Sequence, residues 1–207
     1  MPCTPYFLLF FYAGHETTSH SLTMMLVALA RHPTVLRKLQ SELDASIPSS
    51  ARLDINQFPS SATIRSLPYL SGCINEAMRL FPVGGAGSKR ITVSEIEYEG
   101  VVIPKGSTCV LAVHSMYRQP WIDRVDEFLP ERWEASNPQE KELRAMFMPF
   151  AHGGRNCIGQ NLAKVELWLI SAYLLRFFEF ELLSEPSYQI FLTMKATNVR
   201  VKVHSRQ

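Results

Sequence analysis

Apolar and polar positions along the chain fall into blocks with different periods. From Tyr6 through Arg31 the residues are apolar and helix-friendly, broken once by the polar run Gly14 to His20. A buried helix carries such an interruption only for a reason. Pro33 suits the first turn of a helix, and Val35, Leu36, Leu39 and Leu43 recur at helical spacing until Pro48, which predicts an amphipathic helix. Ser49 to Ser66, rich in Ser, Asn and Pro, predicts a connecting loop with room for one short helix. Tyr69 to Leu80 predicts another helix, with Leu70, Ile74, Ala77, Met78 and Phe81 on one side and Pro82, Gly84 and Gly85 ending it.

Ile91 to Val113 changes character: β-branched residues alternate, with turns at Glu99-Gly100 and Pro104-Lys105-Gly106, so a small sheet is expected. Gln119 to Pro149 holds Pro120, Pro130, Pro138 and Pro149 and no sustained period, the pattern of a long ordered meander. Loops of that length are uncommon and usually functional. Gln160 to Phe178 predicts a last helix through Leu162, Val165, Leu169, Ala172 and Leu175, and Ile190 to Val203 alternates like a strand. No internal repeat or domain boundary is visible. The pattern is that of one mainly α unit over residues 1–207 with a small β-sheet.

Composition narrows the function classes. At 207 residues, 46% hydrophobic and 19% charged, the chain can bury a substantial core, which argues against a disordered or fibrous protein. Its 21 basic and 19 acidic side chains are scattered and leave a net +2, so no nucleic-acid footprint is indicated. Cys3, Cys73, Cys109 and Cys157 lie far apart with no CxxC pair; neither a zinc site nor a disulfide scaffold is suggested, and a reducing compartment fits best. The apolar run Pro5 to Tyr12 is too short for a membrane span of roughly 20 residues. His15 and Glu16 follow it where a signal peptide would place a small-residue cleavage site. It reads as the inside of a helix whose beginning lies upstream.

Four local patterns carry chemistry. Phe150-Ala151-His152-Gly153-Gly154-Arg155-Asn156-Cys157-Ile158-Gly159 precedes the last helix. Phe, Gly, Arg, Cys and Gly at these spacings arise by chance on the order of once in 10^4 to 10^5 chains of this size. Ala13-Gly14-His15-Glu16-Thr17-Thr18 is the polar break in the first helix. Glu76 and Arg79 stand one helical turn apart, and Pro130-Glu131-Arg132-Trp133 lies in the meander. Taken singly, each has a plain structural explanation: a buried cysteine ahead of a helix, a helix surface or cap, a solvated ion pair.

In this order the four patterns resemble the C-terminal half of the cytochrome P450 family, in its eukaryotic microsomal-like form. The resemblance implies the C-terminal portion of that fold, haem b (iron protoporphyrin IX) as cofactor, and Cys157 as thiolate ligand of the haem iron. Glycines 153, 154 and 159 would let main-chain N–H groups point at the sulfur, and the following helix would present its positive end, so that the residue is held as thiolate. Arg155 would pair with a haem propionate, Phe150 would shield the sulfur from water, and Arg90 would be a second propionate partner. His152 is left as a surface or propionate-side residue. Ala13 and Gly14 would let the helix open beside the iron and make room for dioxygen, while Glu16 and Thr17 relay protons. Glu76, Arg79 and Arg132 would form a buried triad stapling the meander to the helix behind the cysteine loop.

The implied reaction is insertion of one atom of O2 into an apolar organic substrate. Val83 to Ser88, small and weakly polar, would contact that substrate or be a plain turn, and Ser187 to Leu192 would supply a second wall. No flavin or nicotinamide fingerprint appears, so electrons must come from a partner, by resemblance an NADPH-dependent reductase. Lys141, Arg144 and Lys164 would meet its acidic surface or are simply solvated. An endoplasmic reticulum location follows from resemblance alone, and membrane association would need a segment upstream of Met1. Two alternatives stay open: a truncated, non-catalytic fragment that does not hold haem, and a haem-thiolate hydroperoxide isomerase. Retention of Glu16 and Thr17 argues against the latter.

Overall fold

Helix α1 (Thr4–Arg31) begins the described part of the chain; the computed structural model describes residues 4–85, 87, 89–190 and 193–206. Its C-terminal half is apolar on several faces and buries Met24, Met25, Val27, Ala28 and Leu29. The expectation of an interior helix holds only there: Phe7, Leu8, Leu9, Phe10 and Phe11 are 58–67% exposed.

Helix α2 (Pro33–Ser46) starts on its proline and turns Leu39 and Leu43 inward. The segment expected as a loop with one short helix holds three: 3-10 turns at Ser49–Arg52 and Ile55–Gln57, then α3 (Ser61–Arg65). Its polar residues are caps. Asp54 accepts the N–H of Asn56 and Ser60 that of Thr63. Helix α4 (Pro68–Leu80) has no cap of its own; Glu42 of α2 accepts the N–H groups of Tyr69 and Leu70, each at 2.8 Å. A carboxylate there meets both the unpaired amides and the positive end of the helix dipole.

The expected single small sheet is two separate antiparallel ribbons. Strands β1 (Lys89–Ile91) and β4 (Thr108–Val110) pair with Arg90 opposite Cys109, while β2 (Ile96–Tyr98) and β3 (Val101–Ile103) pair around Glu99-Gly100. Both turn residues have positive φ, +49° and +77°, the two-residue hairpin whose twist matches its strands. Helix α5 (Val113–Met116) then leads into the meander, which is less irregular than its prolines suggest. It contains a 3-10 turn, Pro130–Trp133, and helix α6 (Glu140–Met146), too short for a period to register in the sequence. Ile122, Trp133 and Leu143 give it a small core of its own.

Helix α7 (Gln160–Phe177) runs directly into β5 (Phe178–Leu182). The closing region, expected as one alternating strand, is three: β6 (Ser187–Ile190), β7 (Met194–Thr197) and β8 (Val201–Ser205), with β5 against β8 and β6 against β7. The main core joins α1, α2, α4 and α7, with Trp168 donating to Ser71 Oγ at 2.8 Å and Ser171 to Met25 Sδ at 3.5 Å. No described helix is long and apolar enough to cross a membrane.

Candidate functional site

Cys157 sits between the 3-10 turn Gly153–Arg155 and the first turn of α7, and its thiol is free and exposed. The loop is closed by its own backbone: Cys157 N–H donates to Phe150 O at 2.9 Å and Asn156 N–H to Gly153 O at 3.1 Å. Those two amides are spent on carbonyls, whereas the N–H groups of Ile158 and Gly159, which follow the sulfur, have no backbone partner among the described residues. Gly153 does need its freedom, at φ +79°, but the second left-handed residue is Ala151 at +59°, which residue type alone does not reveal. Gly159 lies under the sulfur, where an added Cβ would stand 3.9 Å from Sγ. Phe150 is half-buried against the main core beneath Lys164, whose Nζ is 5.4 Å from the ring centroid. His152 and Arg155 are exposed.

Helix α1 packs on α7 and carries the polar break. Ala13 and Gly14 are exposed, Glu16 and Thr17 half-buried, and a Cβ at Gly14 would meet nothing within 4 Å. The expected local opening is not seen: α1 runs unbroken through the patch. Thr17 Oγ1 donates to Ala13 O at 2.8 Å, an extra bond that leaves the helical ladder in place. Two partners escaped the sequence reading because they arrive from 176 and 179 residues away. Lys195 of β7 pairs with Glu16 Oε1 at 3.0 Å, and Ala196 N–H donates to His20 Nδ1 at 3.1 Å.

The structure brings Glu76, Arg79 and Arg132 together in the interior, at 0%, 0% and 5% exposure. Glu76 accepts from Arg79 Nε and Nη2 at 2.9 Å, Arg132 Nε at 3.0 Å, and Leu129 N–H and Trp133 Nε1 at 3.1 Å. Two guanidinium groups face one carboxylate, and carbonyls take the remaining N–H groups. Arg79 reaches Tyr117 O and Glu127 O, while Arg132 reaches the carbonyls of Asp123 and Arg124. The meander is thus tied to α4 through Glu76, and further through Arg79 to Glu127 O and Tyr69 to Glu131.

Arg90 is exposed on β1 and, among the described residues, donates only to Lys89 O. Neither Arg90 nor Arg155 has an ion-pair partner among the described residues. Val83 of the first segment read as a substrate wall accepts from Met194 N–H at 2.9 Å, two residues past the end of the second segment; Ala86 and Ser88 of the first and Phe191 and Leu192 of the second lie outside the described residues. Of the basic residues assigned to a reductase surface, Arg144 is engaged by Glu140 and donates to Trp133 O, whereas Lys141 is exposed. Cys73 and Cys109 are free, and burial pushes the Cys73 thiol well up; Cys3 lies outside the described residues.

A family model for cytochrome P450 matches residues 6–202. The chain belongs to the cytochrome P450 family. It is 33% identical over 187 residues to cytochrome P450 3A9 of Rattus norvegicus, covering 90% of this chain and 36% of that protein. It is 35% identical over 161 residues to cytochrome P450 3A13 of Mus musculus, covering 77% of this chain and 30% of that one. The chain therefore spans about a third of the length of the curated relatives it matches. P450 proteins bind haem b. The residues present suit that group: the cysteine loop offers a single free sulfur, and two exposed guanidinium groups without acidic partners among the described residues match the charge of porphyrin propionates.

Proposed function

We propose that this chain is the thiolate-bearing part of a haem monooxygenase that inserts one oxygen atom of O2 into an apolar organic substrate. One observation carries the reading: the exposed, unpartnered Cys157 heads the helix that packs on α1, and α1 carries Gly14, Glu16 and Thr17. When bound, haem b supplies an iron that activates dioxygen, assisted by electron density from its thiolate ligand. Cys157 is the metal ligand. Arg155 and Arg90 neutralise the propionates, and Phe150 and Gly159 flank the sulfur. Ala13 and Gly14 would leave room on α1 for the bound group, beside Glu16 and Thr17, which move protons. For that role the Thr17 hydroxyl leaves Ala13 O, a weak local bond.

Glu76, Arg79 and Arg132 hold the meander, and through it the cysteine loop, in register with α4. Val83 and its neighbours, with the β6–β7 hairpin, form the apolar substrate side, supported by the Met194–Val83 contact. Electrons come from an NADPH-dependent reductase docking near Lys141 and Lys164. Residues 1–207 act as one unit of the fold, on the cytosolic face of the endoplasmic reticulum.

A carbon monoxide difference spectrum of the reduced, haem-loaded protein tests the reading. A Soret band at the thiolate position, lost in Cys157→Ala, supports it. Haem uptake with a thiolate band that survives in Cys157→Ala overturns the ligand assignment, and no haem uptake assigns the chain to a non-catalytic role.

A further inference from the structure

Glu16 and His20 are four residues apart on α1 and so share one face, and strand β7 lays two consecutive residues against them. Lys195 takes Glu16 Oε1 at 3.0 Å and Ala196 N–H takes His20 Nδ1 at 3.1 Å. Since Nδ1 accepts, the imidazole is the neutral tautomer with its hydrogen on Nε2. His20 is 5% exposed, and burial pushes it down to about 4, against a smaller upward pull from Glu16. At neutral pH it therefore anchors the strand without competing for the Glu16 carboxylate. Lys195 is that carboxylate's sole ionic partner among the described residues.

Between helix and hairpin lies a cavity of about 150 Å³ lined by His15, Glu16, Ser19, His20, Thr23 and Lys195. A water molecule needs on the order of 15 Å³ of such space and two to four polar partners, so several fit. Ser19 and Thr23 spend their hydroxyl protons on His15 O at 2.7 Å and Ser19 O at 2.8 Å, which leaves their lone pairs to accept from water. Glu16 has one oxygen anchored by Lys195, while Oε2 has no hydrogen bond among the described residues. That oxygen is the one left to exchange protons with the cavity.

We propose that Lys195 and His20 are positioning residues for Glu16: the His20–Ala196 bond seats strand β7, and Lys195 then holds the carboxylate against a hydrated cavity that feeds it protons from solvent. The inference rests on the monooxygenase reading, in which substrate, O2, two protons and two electrons from the reductase yield hydroxylated product and one water. Both protons pass through Oε2 of Glu16, each replaced from bulk water through the cavity. Lys195, 54% exposed, stands where the cavity meets solvent.

Two measurements test it. In the purified protein, 15N spectra of labelled histidine should show His20 protonated on Nε2 and bare on Nδ1; protonation on Nδ1 overturns the geometry. In the haem-loaded protein with its reductase, Lys195→Met should raise hydrogen peroxide released per NADPH at the expense of product, since displacing a catalytic group can slow its step on the order of 100-fold. The solvent deuterium isotope effect on product formation should grow with it, and Lys195→Arg should restore both. Unchanged peroxide yield and isotope effect in Lys195→Met, with a normal thiolate spectrum, overturn this inference and leave the monooxygenase reading standing. Absence of the thiolate spectrum in the unsubstituted protein removes that reading and this one with it.

Discussion

Trp133 donates its indole N–H to Glu76 Oε2 at 3.1 Å across 57 residues of sequence, closing a buried cluster that the meander and α4 share. Removing the acid leaves two guanidinium groups in the interior without a counter-charge. Glu76→Ala is expected to cost about 3–5 kcal/mol and to prevent stable haem incorporation. Trp133→Phe leaves four donors on the carboxylate and should cost no more than about 1–3 kcal/mol, the range for one lost buried hydrogen bond. Urea unfolding followed by circular dichroism, with haem uptake measured on the same samples, checks both; comparable losses would show that the acid is not the hub.

Two helical glycines should respond to alanine in opposite directions. At Gly72 an added Cβ would stand 2.9 Å from Pro130 O, a backbone atom that cannot turn aside. Gly72→Ala should lower stability by about 1–3 kcal/mol by forcing α4 and the meander apart. At Gly14 nothing lies within 4 Å, and Gly14→Ala should raise stability by roughly 0.5–1 kcal/mol through helix propensity. Thermal melts of the two variants decide the point.

The free cysteines differ in access. Cys157 is exposed, whereas Cys73 is fully buried with its thiol pushed up by burial. Iodoacetamide should alkylate Cys157 in the folded, haem-free protein and reach Cys73 only on unfolding. Haem loading should protect Cys157. Peptide mapping by mass spectrometry reads each site separately.

His20 makes stability depend on pH with a definite sign. Its folded value of about 4 lies below the ordinary 6.5, so between these limits the unfolded chain binds a proton that the folded one refuses. Stability from this group is complete above pH 6.5 and is lost as pH falls toward 4. Unfolding at pH 5 should take up close to one proton more than in His20→Gln, by the linkage slope. Denaturant midpoints from pH 4 to 7 check the slope, and equal slopes in the two proteins would contradict it.

The helices were legible because each repeats an apolar stripe over three turns or more, as Leu70, Ile74, Ala77 and Met78 do in α4, all buried. Helix α6, with seven residues, is too short to show a stripe, and the caps Asp54 and Ser60 read as loop because capping residues and loop residues are the same types. At the site, Cys157, Arg155 and Gly153 were visible as one contiguous loop, whereas Lys195 and His20 acquire meaning only from Glu16 and Ala196, their partners across the contact of α1 with β7.

What this sequence determined by itself is therefore local: helical periods, the Glu99-Gly100 hairpin, and the four short patterns that mark the family, each decided by residues near in the chain. The tertiary structure alone decided which distant groups meet. It set Glu42 on the amides of α4, Trp133 on Glu76 and Lys195 on Glu16. A charge or an N–H far along the chain satisfies a buried partner only once packing has removed water from both, and no local pattern encodes that.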